Sequence, residues 1–134
     1  MTLTTDQPTP LLSHTVAIAR LRLCLLDTDQ ARLAKHVALR SAWSSLALEN
    51  TTYENLPDDG DALLESADRL ELVGGPAAAV AELRDEATRQ ARRRTYVEGT
   101  ITELVEAADE LERDIARLDT LHADYELALE NLGA

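Results

Sequence analysis

The stretch VEGTITELVEAADELERDIARLDTLHADYELALENL, residues 97–132, decides the fold. Its apolar residues recur at alternating steps of three and four, the heptad spacing of a helix that packs along one seam. The spacing extends back towards Pro76, so we predict one very long helix over 76–132. Its a positions are Val80, Ala87, Arg94, Ile101, Ala108, Ile115, His122 and Leu129, and its d positions are Leu83, Gln90, Val97, Leu104, Leu111, Leu118, Tyr125 and Leu132.

The segment around Gly99 leaves the continuity of this helix open. A glycine inside a helix costs about 1 kcal/mol relative to alanine. Thr100 and Glu103 also have the spacing of a capping box, which starts a helix. We therefore expect either a helix that passes through this point, straight or bent, or a break near residues 98–100.

The N-terminal part of the chain predicts a second long helix. Residues 1–12 are expected to form a disordered lead, and the helix to run over about 13–49. One apolar row keeps its phase across a possible cap at Asp27, which favours a single helix. A second row in the first half makes the helix apolar over a wide arc, typical of a helix that touches more than one neighbour. The first row is Leu12, Val16, Ala19, Leu23, Leu26, Gln30, Leu33 and Val37, and the second is Ile18, Leu21 and Leu25.

Between the long helices, the sequence predicts a connector over 50–60, a short helix over 61–73 and a turn at Gly74-Gly75-Pro76. No stretch shows the sustained alternation of a strand. We therefore predict an all-α fold, an elongated antiparallel helical bundle or coiled coil. It has a long N-terminal helix, a short middle helix and a very long C-terminal helix, in one domain over 13–134.

The composition limits the classes of function. The formal net charge is -12, which argues against broad binding of nucleic acid or anionic membranes, since both need a basic surface. The apolar run from Leu11 to Leu26 is interrupted by Arg20 and Arg22, so no membrane span or signal peptide is expected. Cys24 is the single cysteine, and no nucleotide-binding or nucleophile motif is present. We expect a cytoplasmic protein without a cofactor.

The seam of the C-terminal helix is the first candidate for an interaction surface. This helix would outreach the N-terminal one, so part of its seam would need a partner: a second copy of the chain or another helical protein. Asp114 would meet Asp119 in a parallel pair, which favours an antiparallel arrangement or a bundle. The candidate residues are Ile101, Leu104, Leu111, Ile115, Leu118, His122, Tyr125 and Leu129.

Five arginines within residues 84–94 form the second candidate surface. They are Arg84, Arg89, Arg92, Arg93 and Arg94. The heptad register spreads them around the helix and directs Arg94 at the seam, unlike the single stripe of a helix that reads a nucleic-acid groove. Salt bridges inside the chain or towards a partner are the favoured interpretation. A specific acidic protein partner and nucleic acid or phosphate are the alternatives, and nucleic acid is the less favoured.

Paired carboxylates provide a weaker alternative function. Glu65 and Asp68, with Glu103 and Glu106, have the helical spacing that holds Mg²⁺ in all-α nucleotide pyrophosphohydrolases. Such spacing also arises by chance in an acidic helical protein. Asp119 and His122 resemble half of a di-iron site but lack a second such pair. The leading hypothesis is a non-enzymatic adaptor, scaffold or small subunit of a larger complex.

Overall fold

Three helices make up the part of the chain that the structure describes. The structure, a computed structural model, describes the backbone of residues 8–133 and the side chains of residues 13–133. The helices are α1 (Pro8–Glu54), α2 (Gly60–Leu72) and α3 (Ala77–Asn131), and no strand occurs among these residues. The long first and last helices pack against each other, with a short helix between them in the chain. The predicted all-α class and order of helices are confirmed.

Helix α1 is longer than predicted at both ends. It begins at Pro8, within the predicted 1–12 lead; residues 1–7 lie outside the described residues. A proline suits the first turn of a helix, where no backbone N–H is needed. At the other end, α1 continues through Thr51 and Thr52 to Glu54, and both hydroxyls donate to carbonyls one turn back. Pro57, rather than Asn50, therefore accounts for the end of the helix.

The turn between α2 and α3 depends on its two glycines. Gly74 has a φ of 75°, in the left-handed region that favours glycine. The N–H of Gly75 donates to the carbonyl of Leu70 at 2.9 Å, and a Cβ at Gly75 would collide with the Leu70 side chain. The turn thus closes the end of α2 and lets α3 start directly after Pro76.

Both long helices are unbroken at the points where the sequence allows a break. α3 continues through Gly99, and the Thr100 hydroxyl donates back to the carbonyl of Tyr96 at 3.2 Å instead of capping a new helix. α1 continues through Asp27. Thr28 is buried in it and donates to the carbonyl of Cys24 at 2.7 Å.

The described chain divides into two units. The terminal unit contains α1 as far as Ser41 and α3 from Ala108 onward. Its two helices are antiparallel, because residues that rise in number along α1 meet residues that fall in number along α3: Asp29 with His122, Arg32 with Asp119, and Lys35 with Asp114. Its buried side chains are Thr28, Leu39, Ala108 and Ile115.

The central unit spans Ala42–Ala107 and contains the end of α1, all of α2 and the first part of α3. α2 runs antiparallel to α3, since Gly60 at its start lies beside Gln90 while Asp68, further along it, binds Arg84. Ala67 of α2 has no exposed surface and is the most deeply buried residue of this unit. The other buried side chains of this unit are Val80, Ala87 and Val97.

Burial along α3 follows the predicted heptad. All sixteen a and d positions from Val80 to Leu132 are buried or half-buried, including the polar Gln90, Arg94 and His122. Several g positions are also half-buried, which widens the covered face. α3 therefore directs its seam at the rest of its own chain.

In α1, the buried residues belong to the second of the two rows that the sequence predicts, not to the first. The row that packs inward continues the second row, Ile18, Leu21 and Leu25, through Thr28 to Leu39. In the predicted first row, every described residue from Val16 to Val37 is exposed. Leu12 lies outside the residues whose side chains are described.

Candidate interaction surface

The predicted seam residues of α3 lie in the folded core of the chain. Ile115 is buried, and the others are half-buried: Ile101, Leu104, Leu111, Leu118, His122, Tyr125 and Leu129. Burial raises the pKa of Tyr125, and the neighbouring Cys24 thiol raises it further. Interaction of these residues with a partner stays a prediction, because the chain already uses this face for its own packing.

His122 and its neighbours form a polar edge between the two helices of the terminal unit. One imidazole nitrogen of His122 lies 2.9 Å from Asp29 Oδ1, and the other lies 2.7 Å from Glu126 Oε1. Arg32 binds both Asp29 and Asp119 at 3.1 Å. The two members of the possible metal pair, Asp119 and His122, are therefore held by side chains of α1 and by Glu126.

Asp114 forms the other strong contact of this edge. Lys35 Nζ lies 3.2 Å from Asp114 Oδ2, and Arg117 binds the other oxygen. The hydrogen bond from Lys35, followed by that from Arg117, lowers the pKa of Asp114 below its ordinary value. The near-neutral α1 thus supplies cations to the acidic α3.

Three of the five clustered arginines are bound inside the chain. Arg84 binds Glu71 and also binds Asp68 at 3.1 Å, and the hydrogen bond with Glu71, followed by that with Asp68, raises the pKa of Arg84. Arg89 binds Glu86 at 2.7 Å, one turn away on the same helix.

Arg94 has two partners in the central unit. It lies 3.4 Å from Asp58, and its guanidinium sits 4.6 Å from the centre of the Tyr53 ring. Its place at a seam position is therefore satisfied by an ion pair and a cation–π contact. Arg92 and Arg93 are exposed. The cluster is thus mainly an internal set of salt bridges in this unit.

A cleft of about 380 Å³ lies beside Arg94 in the central unit. Asp58, Gly60 and Leu64 line one side of it, and Gln90 and Arg94 line the other. The Oε1 atom of Gln90 is buried and accepts no hydrogen bond from a described residue. The cleft is open, and the two charged groups named here already bind each other.

The structure does not bring the four paired carboxylates together. Glu65 binds Arg69 at 2.8 Å, and Asp68 binds Arg84. Glu103 lies nineteen residues beyond Arg84 on the same continuous helix, about 28 Å away at 1.5 Å per residue. Within residues 13–133, no group of three acidic, histidine or cysteine side chains is placed to hold a metal ion.

The outer face of α1 is an exposed apolar surface, although the sequence predicted that its row of residues would pack against a neighbour. At 100° per residue, Leu23 lies about 200° from Leu21 and from Leu25, on the opposite side of the helix from the covered row. We call this row the outer stripe: Val16, Ala19, Leu23, Leu26, Leu33 and Val37. Its five larger side chains are 45% (Val16), 60% (Leu23), 52% (Leu26), 66% (Leu33) and 60% (Val37) exposed.

The sequence contained the signal for this stripe. Two apolar rows on one helix require two sets of neighbours, and the described part of the terminal unit supplies only α3. The stripe has the three-four spacing of a helix-packing seam, with the polar Gln30 at the position between Leu26 and Leu33.

Comparison with other proteins adds no relative. Neither a protein-family model, nor a curated protein, nor a solved structure matches the chain. Within the described residues, no helix combines the length and the apolar character needed to cross a membrane.

Proposed function

We propose that this chain is a non-enzymatic interaction or assembly protein, an adaptor, scaffold or small subunit, which acts through the outer stripe of α1. The observation that carries the proposal is the exposure of five large aliphatic side chains in one row. The row extends from Val16 to Val37, about 32 Å along the helix. Contiguous apolar surface of this kind marks interaction sites on soluble chains.

The borders of the stripe support the same function. Arg20 and Asp27 lie along one border, and Arg22 and Asp29 lie along the other; all four are exposed. An apolar centre with a charged rim is the usual composition of a protein–protein interface. Charges of both signs suit a protein partner better than a nucleic acid or an anionic lipid surface, which would require cations alone.

The competing functions have less support. The candidate Mg²⁺ ligands Glu65 and Asp68 are bound by arginines of the chain itself. In the basic cluster, Arg84, Arg89 and Arg94 are bound by acidic residues of the chain. A cytoplasmic location belongs to the same proposal, because the chain has one cysteine and needs no disulfide to hold its helices.

Purification of the wild type and of two double variants from cells that make the protein tests this function. The double variant Leu23→Gln/Leu33→Gln removes two apolar side chains from the stripe and keeps good helix formers. The matched control is Leu72→Gln/Leu127→Gln, which changes two exposed leucines elsewhere. We expect the wild type and the control to retain a stoichiometric partner, self or other, and the stripe variant to lose it.

Circular dichroism checks that all three proteins keep their helices. Equal loss of the partner in both variants, or retention in both, would contradict a docking role for the stripe.

A further inference from the structure

We propose that the occupant of the outer stripe is the outer stripe of a second copy of this chain. The two α1 helices run antiparallel about a two-fold axis that passes between Leu23 and Leu26. This inference rests on the proposed function and names the partner for it. A contact of this kind is isologous, so the same residues must be complementary to themselves.

The apolar positions fit such a pair. The heptad of the outer face places Val16, Leu23, Gln30 and Val37 at one core position and Ala19, Leu26 and Leu33 at the other. An antiparallel pair centred between Leu23 and Leu26 sets Leu23 against Leu26 of the second copy, and Val16 against Leu33. The small Ala19 faces the longer Gln30. The layers from residue 16 to residue 33 cover five turns, about 26 Å.

The charges on the two borders select this register. Arg20 then faces Asp27 of the second copy, and Arg22 faces Asp29. The two-fold axis repeats each contact, so four ion pairs of opposite sign flank the apolar layers. Arg20, Arg22 and Asp27 are exposed and make no ion pair within the described part of their own chain. Asp29 is 51% exposed and binds Arg32 and His122.

The neighbouring registers place like charges together. A shift by one heptad in one direction sets Asp27 against Asp27 and Asp29 against Asp29. The opposite shift sets Arg20 against Arg20 and Arg22 against Arg22. A parallel pair joins Arg22 to Asp27 but leaves Arg20 facing Thr15 and Asp29 facing Ala34. Only the proposed register pairs all four border charges, and like charges at these positions are destabilising.

A charge swap provides a sharp test. Arg20→Asp alone and Asp27→Arg alone each create two repulsive contacts in a homodimer, and each should weaken dimerisation roughly tenfold or more. An equimolar mixture should restore assembly as a heterodimer. The carboxylate introduced at position 20 of one chain then faces the guanidinium introduced at position 27 of the other, and native Arg20 faces native Asp27. Sedimentation across a concentration series measures all three samples beside the wild type.

Charge changes elsewhere on the terminal unit are the matched controls. Arg113→Asp and Asp124→Arg alter exposed residues of α3. We expect each to dimerise as the wild type does. Weakening of equal size in these controls would trace the effect to net charge and overturn the inference.

Orientation is measured independently by cross-linking. In a Cys24→Ser background, oxidation of a mixture of Val16→Cys and Leu33→Cys chains should join the two different variants. Predominant joining of identical chains would overturn the antiparallel register. So would a mixture of Arg20→Asp and Asp27→Arg that stays dissociated although Asp27→Arg alone weakens the wild-type dimer.

The two proposals fail in different ways. A wild-type chain that stays monomeric at every concentration overturns self-pairing. The docking function stands if this monomer binds a different protein and if Leu23→Gln/Leu33→Gln, but not the control variant, abolishes that binding. Dimerisation that is unchanged by Leu23→Gln/Leu33→Gln places the dimer contact elsewhere and overturns the inference.

Discussion

The two faces of α1 in the terminal unit both carry aliphatic side chains and have different surroundings. The inner face, from Ile18 to Leu39, lies against α3. The outer face carries Leu23, Leu26 and, one heptad after Leu26, Leu33, and it is exposed. Aliphatic content and period therefore do not distinguish a face that is covered within the chain from a face that is exposed.

The difference between these faces is a difference in the number of available neighbours. Two helices bury one face of each other, whereas a helix with two apolar rows needs a second neighbour. In the central unit α2 supplies an additional helix, and Ala67 is fully covered there. The terminal unit has no counterpart of α2 among its described residues, so its second row is exposed.

The largest effect on stability is expected for a leucine of the inner face, and a leucine of the outer face serves as the comparison. Leu39 is 5% exposed, and its change to alanine should lower the free energy of unfolding by about 2–5 kcal/mol. Leu33 is 66% exposed, and Leu33→Ala should change this energy by at most about 0.5 kcal/mol. Urea unfolding at a concentration where the chain is monomeric measures both. Equal losses would show that both faces are covered within one chain.

A smaller effect is expected from adding volume to α3. Ala108 is 5% exposed at a seam position, so Ala108→Leu should destabilise the fold by about 1–3 kcal/mol through overpacking. Ala116 is exposed on the same helix and in the same unit, and Ala116→Leu is the matched control, expected to be nearly neutral. Thermal unfolding of both variants tests this, and a neutral Ala108→Leu would argue for a loose seam.

Gly99 should show a gain of stability on the uncovered side of α3. The helix is continuous there, and beyond the backbone of its own turn a Cβ would meet no atom of a described residue within 4 Å. Gly99→Ala should therefore raise the free energy of unfolding by about 0.5–1 kcal/mol, because glycine loses more backbone entropy on folding. Denaturant titration measures this gain. Destabilisation would mean that α3 needs glycine at this point.

The smallest effect on stability is expected from Asp114, at the edge of the covered face, and this effect depends on pH. Lys35 and Arg117 lower the pKa of Asp114 from its ordinary 3.8, so its carboxylate stabilises the folded chain above that pH. This contribution is lost as the pH falls through the lower, folded-state pKa. Asp114→Asn should be less stable than the wild type at pH 7, and the difference should shrink below about pH 4.

Unfolding curves from pH 7 to pH 2 measure that difference. Asp109→Asn, an exposed site on the same helix, is the control. A gap between the wild type and Asp114→Asn that is constant with pH would rule out an ionic role for Asp114.

Much of the fold could be predicted because helix formation and heptad spacing are local properties. The seam from Val80 to Leu132 was predicted position by position, including the polar Arg94 and His122. The C-terminal end of α1 was less predictable, because Thr51 and Thr52 have low intrinsic preference for a helix and yet lie within this one.

The candidate site was less predictable than the fold. Exposure depends on which neighbour a face meets, and that neighbour is distant in sequence. The α3 seam was the predicted interaction surface, and the chain itself covers it. The partners of Arg84 and Arg94 also come from outside the arginine cluster, since Asp68, Glu71, Asp58 and Tyr53 all precede it in the chain.

The sequence by itself determined the helical class, the three helices in their order and the seam of α3, because a period of apolar residues acts within one helix. Only the tertiary structure decided which row of α1 is covered. Both rows carry aliphatic side chains, and contacts of the inner row with α3, such as Lys35 with Asp114, accompany the burial of that row. That choice leaves Leu23, Leu26 and Leu33 on the outside, where a second chain can reach them.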